Sequence, residues 1–172
     1  MTYNPALDHR RSIRLSNFDY SQPGAYFITI VSHERRCIFG VIENDCLTLS
    51  LAGQCVDAII SALPEHFPVE INHRVVMPNH IHILLTINSN EPEIQNVNIK
   101  PLRGSPAQTI CAIMQNLKSN SSRHIHRMWN NNESVWQRNY YEHVVRNQDD
   151  FDRIYSYIEN NPLTWQKDDL WK

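Results

Sequence analysis

VEINHRVVM, residues 69–77, and HIHILLTI, residues 80–87, stand on either side of a Pro78-Asn79 pair, and this arrangement decides the fold. Both runs are rich in aliphatic and β-branched residues, and Pro-Asn is turn chemistry, so the two read as adjacent strands at the heart of a sheet. Side chains alternate along a strand. In the second run Ile81, Ile83 and Leu85 therefore point into a core, while His80 and His82 leave together on the opposite face.

Working outward, AYFITIVS (25–32) is bounded by Pro23 and Gly24 and reads as a central strand, followed by a hairpin that ends at CLTLS. Between Leu51 and Pro64 the apolar positions Val56, Ile59, Ile60 and Leu63 recur at helical spacing. Residues 89–104 mix Asn, Pro and charge without periodicity and read as a mobile loop. Ser105 can cap a second helix with Pro106 in its first turn, and Ile110, Ile113, Met114, Leu117, Ile125 and Met128 form its buried stripe. YYEHVV (140–145) alternates like a strand, and a third helix runs from about Gln148 to Asn161, where Pro162 ends it. The order is α+β, with helices expected over one face of a largely antiparallel sheet.

With 172 residues and 41% hydrophobic content, the chain can bury one good core but not two, so a single domain over 1–172 is expected, led by an N-terminal arm of residues 1–24. No window approaches the ~18 apolar residues that span a bilayer, and a cytoplasmic protein is expected. Cys37, Cys46, Cys55 and Cys111 contain no CxxC pair and read as reduced structural thiols.

The net charge of −2 speaks against a general basic footprint, but its distribution is uneven. From Ile94 to Asn132 there is no Asp or Glu, while Lys100, Arg103, Lys118, Arg123 and Arg127 are all present. Arg10, Arg11 and Arg14, with Arg35 and Arg36, could extend that face, either as a nucleic-acid surface or as a solvated one.

Two neutral imidazoles side by side, such as His80 and His82, can hold one divalent cation that neutralises and polarises a phosphodiester, or they can simply be hydrogen-bonded histidines. In DDFDRIYSYIENNP the stripe Phe151, Ile154, Tyr155 and Ile158 is expected to be buried. Tyr157 lies well off it, and Asn161, four residues on, shares nearly its side. A phenol can attack phosphate when a cation eases its ionisation, and an amide oxygen can complete the cation's ligands. Tyr140 and Tyr141 are the other candidate nucleophiles.

RRSIRLSNFDYSQPGAYFITIVSHERRCIFG, VVMPNHIHILL, VWQRNYYEHVVRNQDDF and YIENNP, taken in order, resemble the REP-associated tyrosine transposases, a single-tyrosine HUH family related to single-strand insertion-sequence transposases. The resemblance covers most of the chain outside residues 86–134. It implies a ferredoxin-like fold, Tyr157 as nucleophile, and His80, His82 and Asn161 as ligands of a magnesium or manganese ion. It also implies a single-stranded or hairpin DNA partner, cut and rejoined through a 5′-phosphotyrosine. On that substrate Arg10, Arg11, Arg14, Lys118, Arg123 and Arg127 would meet phosphates, and Trp129 or Trp136 could stack on bases. His143 matches a histidine common in the family and could orient the site or satisfy a backbone carbonyl. Monomer and homodimer both stay open. The rival functions are a non-catalytic hairpin-binding regulator and a metal-dependent phosphodiesterase that uses water.

Overall fold

The computed structural model describes residues 22–88 and 109–171. Strands β1 (Gly24–Val31), β4 (Val69–Val76), β5 (His80–Ile87) and β6 (Tyr141–Val144) form one sheet in the order β4-β5-β1-β6, with every neighbouring pair antiparallel. β2 (Gly40–Glu43) and β3 (Cys46–Leu49) make a separate hairpin, turned by Asn44 and Asp45, both at positive φ as a two-residue turn of matching twist requires. With helices α1 (Leu51–Ser61), α2 (Ile110–Trp129) and α3 (Gln148–Asn160), the main sheet follows the split βαβ, ferredoxin-like path expected from the sequence.

The alternation of β5 divides the molecule. Ile81, Ile83 and Leu85 join Ile28 and Ile30 of β1 in the main core beneath α1 and α2, where Val56, Ile60, Ile113 and Leu117 meet them. On the reverse face Leu84 packs with Ile154 and Ile158 of α3, and Phe27 and Val75 flank this smaller core. Helices thus cover both faces, not the single face expected. The difference arises because Phe27 of β1, Val75 of β4 and Leu84 of β5 give the histidine-bearing face a small apolar patch of its own, which α3 covers. In β4 a bulge between Ile71 and His73 switches parity, so that Ile71 pairs beside Leu85 and His73 beside Leu84.

Three local expectations are corrected. α2 starts at Ile110, where the Thr109 side chain accepts from the Ala112 amide; Ser105, Pro106 and the 89–104 loop lie outside the described residues. Met128 is exposed, because the buried stripe of α2 ends at Ile125. Tyr155 is exposed as well and stacks on His73 with ring centroids 4.2 Å apart, because α3 buries only a narrow stripe centred on Ile154 and Ile158.

Gly53 shows how tightly α1 sits on the chain before the hairpin. A Cβ there would lie 1.9 Å from the carbonyl oxygen of Phe39, a backbone atom that cannot swing aside. In an open helix Gly→Ala gains about 1 kcal/mol. Here Gly53→Ala is expected to destabilise the protein by about 1–3 kcal/mol, measured by equilibrium urea unfolding, because α1 must move off the core to admit the methyl group.

Candidate active site

His80 and His82 emerge on the α3 side of the sheet, and both are buried, at 0% and 3% exposure. Their Nε2 atoms lie 3.0 Å apart. Each Nδ1 has its own partner: Asn79 Oδ1 at 2.8 Å from His80, and Thr29 Oγ1 at 2.8 Å from His82. Asn79 turns its amide nitrogen to two carbonyls, so its oxygen faces His80 and must accept. The proton of His80 therefore sits on Nδ1 and leaves the Nε2 lone pair bare. When His82 gives its Nδ1 proton to Thr29, two lone pairs meet at 3.0 Å, an arrangement that a cation resolves.

Burial favours the neutral imidazoles. It pulls His80 down to about 4 against the opposing charge of Asp168, and it lowers His82 well below the usual histidine range, with His80 adding to the effect. Neutral imidazole is the ligating form. Asn161, at the carboxyl end of α3, is 1% exposed, and its Oδ1 is buried with no hydrogen-bond partner among the described residues. An orphaned buried acceptor costs about 1–3 kcal/mol, and a bound cation would satisfy it.

A fourth donor comes from outside the sequence expectation. After Pro162 the chain makes a 3-10 turn, Pro162–Lys167, that returns Asp168 to the cluster. Its Oδ2 accepts from Asn161 Nδ2 at 3.0 Å and lies 4.0 Å from His80 Nε2. His80, His82 and Asp168 offer ligand atoms within 4.8 Å of one another, a group able to hold a metal ion. Imidazole nitrogens and a carboxylate oxygen are donors that a divalent cation accepts.

Tyr157 closes the cluster from α3. Its hydroxyl is 3.3 Å from His82 Nε2 and 3.5 Å from Asp168 Oδ2, and its ring meets Phe27 edge-on. Burial, followed by the charge of Asp168, pushes the phenol up to about 12, so it does not ionise unaided near neutrality. The other face of Tyr157 opens on a cleft of about 480 Å³ that also meets Thr29, Tyr141, His143, Arg153 and Lys167. Of the two neighbouring tyrosines, only Tyr141 shares this face, beside Thr29; Tyr140 turns away and donates to Cys111 Sγ. His143 pairs beside Phe27 and bonds Asp150, not a backbone carbonyl, at 2.7 Å. Together with Arg153 it holds the Asp150 carboxyl down at about 2.

The remaining expected residues are dispersed. Arg123 and Arg127 are exposed on α2, with the sheet between them and the cleft. Lys118 is not free on an outer face: its ammonium donates to the carbonyls of Gln137 at 2.6 Å and Arg138 at 2.9 Å, and burial lowers it to about 8. Trp136 lies in the main core and donates to Ser121, whereas Trp129 is exposed. Arg10, Arg11 and Arg14 lie outside the described residues. Sequence reasoning missed Asp168, Arg153 and Lys167; the only signal was an acidic pair soon after Asn161-Pro162, which also fits a solvated tail.

Residues 101–161 match the family described as "Transposase IS200 like", a span that contains Tyr157 and Asn161 but not the histidine pair. An uncharacterized protein of Haemophilus influenzae is 38% identical over 98% of this chain and 97% of its own length. A second Haemophilus influenzae protein, provisionally named REP-associated tyrosine transposase, is 25% identical over 87% of this chain and 77% of its own. In fold, the chain resembles a REP-associated tyrosine transposase solved bound to a REP hairpin, with TM-score 0.62, 19% identity, and coverage of 88% of this chain and 73% of that one.

Replacing Lys118 with Met keeps the aliphatic stem and removes the ammonium that ties α2 to residues 137–139. Thermal unfolding should show a destabilisation of about 1.5–3 kcal/mol, the range for hydrogen bonds from a charged group. An unchanged melting temperature would show that the ammonium is free for other partners.

Proposed function

We propose that the chain is an IS200-like transposase that cuts and rejoins single-stranded DNA at hairpin elements by attack of Tyr157 on a phosphate. One observation carries this: both Nε2 atoms, the Asp168 carboxylate and the Tyr157 hydroxyl converge at one end of an open cleft, where the Asn161 amide also reaches Asp168.

His80, His82, Asn161 and Asp168 would hold one magnesium or manganese ion, which neutralises the phosphate and lowers the cost of ionising the phenol. Tyr157 Oη forms a bond to phosphorus as the P–O3′ bond breaks, leaving a 5′-phosphotyrosyl link and a 3′-hydroxyl. The phenolic proton goes to the Asp168 carboxylate, 3.5 Å from the hydroxyl, and the departing O3′ takes a proton from solvent to become the 3′-hydroxyl. Attack by another 3′-hydroxyl reverses the step and rejoins strands without a high-energy cofactor. Edge contact with Phe27 orients the tyrosine ring, and Arg153 and Lys167 take the phosphates that flank the cut. The hairpin stem would lie on Arg123 and Arg127, reached around the β6 edge of the sheet, with Arg10, Arg11 and Arg14 adding further phosphate contacts.

Labelled single-stranded hairpins from the flanking genome, incubated with magnesium or manganese and run on a denaturing protein gel, test the chemistry. Wild type should carry a covalent DNA label. Tyr157→Phe, which keeps the ring and its packing, should lose cleavage and adduct together while hairpin binding stays unchanged. Cleavage without an adduct would assign the attack to water, and binding without cleavage would make the protein a regulator.

Binding is checked separately by titrating affinity against salt. Taking one cation away from a phosphate should lower the slope of log affinity against log salt by about 1, so Arg123→Ala with Arg127→Ala should lower it by about 2. An unchanged slope would leave these residues as a solvated face.

A further inference from the structure

Asn79 is fully buried, and its amide makes three hydrogen bonds of two kinds. Oδ1 accepts from His80 Nδ1 at 2.8 Å. Nδ2 donates to the carbonyl of Leu170 at 2.7 Å and to that of Arg35 at 3.3 Å. Leu170 is two residues beyond Asp168, and its own amide donates to Asp168 Oδ1 at 2.6 Å. Arg35 reaches the same segment again, donating from Nη1 to the Asp169 carbonyl at 3.2 Å.

We propose that Asn79 is a positioning residue that couples the tautomer of His80 to the placement of Asp168. An amide can satisfy a ring N–H and a backbone carbonyl at once only in one orientation. Holding the Leu170 carbonyl therefore aims Oδ1 at His80, and aiming Oδ1 at His80 keeps the imidazole proton off Nε2. The same hydrogen bond fixes the 168–170 turn against β5, which brings the Asp168 carboxylate within 4.0 Å of His80 Nε2. One side chain thus prepares two ligands that lie at opposite ends of the sheet-and-helix path, one opening β5 and one beyond α3. A hydrophobic residue of similar size could fill the space but could do neither.

Asn79 has this role only if the cluster holds a cation, as proposed above, so the test reads metal binding and tail order rather than turnover. Mn²⁺ affinity is measured by electron paramagnetic resonance of the free ion, and amide hydrogen exchange is followed at Asp168 and Leu170. Asn79→Ala should weaken Mn²⁺ binding roughly 10- to 100-fold, the usual effect of removing a partner that orients a metal ligand, and should speed exchange at both amides. Asn79→Asp keeps an acceptor for His80 but cannot donate to Leu170, so it should speed the exchange equally and weaken Mn²⁺ less. It also serves if the Ala variant fails to fold. In a double-mutant cycle, Asn79→Ala and Asp168→Ala should weaken binding by less than the product of their separate effects.

If wild type binds no Mn²⁺, the metal-dependent function fails and Asn79 loses its role with it. If wild type binds Mn²⁺ while folded Asn79 variants match it in affinity and exchange, the function stands and the coupling is overturned. Equal weakening in the Ala and Asp variants would remove the tautomer half of the proposal.

Discussion

Strict alternation along one buried strand governs the rest of this structure. β5 sends Ile81, Ile83 and Leu85 into the main core and His80, His82 and Leu84 to the reverse face. A register slip of one residue would bury the imidazoles among aliphatics and expose the core, so the core's demand for apolar contact also fixes the site. The histidines are expensive to keep there. Burial forces them neutral, and their Nε2 atoms face each other at 3.0 Å. A fold designed only for stability would not bury two imidazoles against each other beside an orphaned amide oxygen on the same side of the sheet.

Around that pair, each supporting element contributes one chemical need. Thr29 on β1 and Asn79 before β5 orient the rings, α3 delivers Tyr157 and Asn161, and the turn after Pro162 returns Asp168. The phenol stays protonated beside the Asp168 carboxylate, pushed up to about 12, so its activation awaits a positive charge in the cluster. In the proposed reaction this would keep Tyr157 inert until metal and phosphate arrive together.

Much of this was legible in the sequence because its signals were periodic. Alternation placed the histidines on one face, helical spacing put Tyr157 off the buried stripe, and both features survive in the structure. What was hidden lacked periodicity. Asp168 follows a proline in a short 3-10 turn, where nothing in the spacing announces a return to the sheet. The second helical face was masked because its apolar patch is small, Phe27, Val75 and Leu84 set among the histidines. Lys118 looked like a free cation on the polar side of α2, and its true partners, the carbonyls of 137–139, are backbone atoms that no sequence pattern reveals.

The net charge of −2 also becomes intelligible once charge is mapped onto the fold. Arg153 and Lys167 line the cleft with Asp168 and Asp169, while Asp150 beside it pairs with His143 and Arg153, and Asp168 bonds Asn161 in the cluster. The central claim is that His80, His82, Asn161 and Asp168 form a single metal centre beside Tyr157. The most direct test is an anomalous difference map from crystals grown with manganese chloride. One peak within bonding reach of both Nε2 atoms and of Asn161 Oδ1 is the predicted result. An empty cluster in crystals that bind manganese elsewhere, or only a proton shared between the two rings, would contradict it.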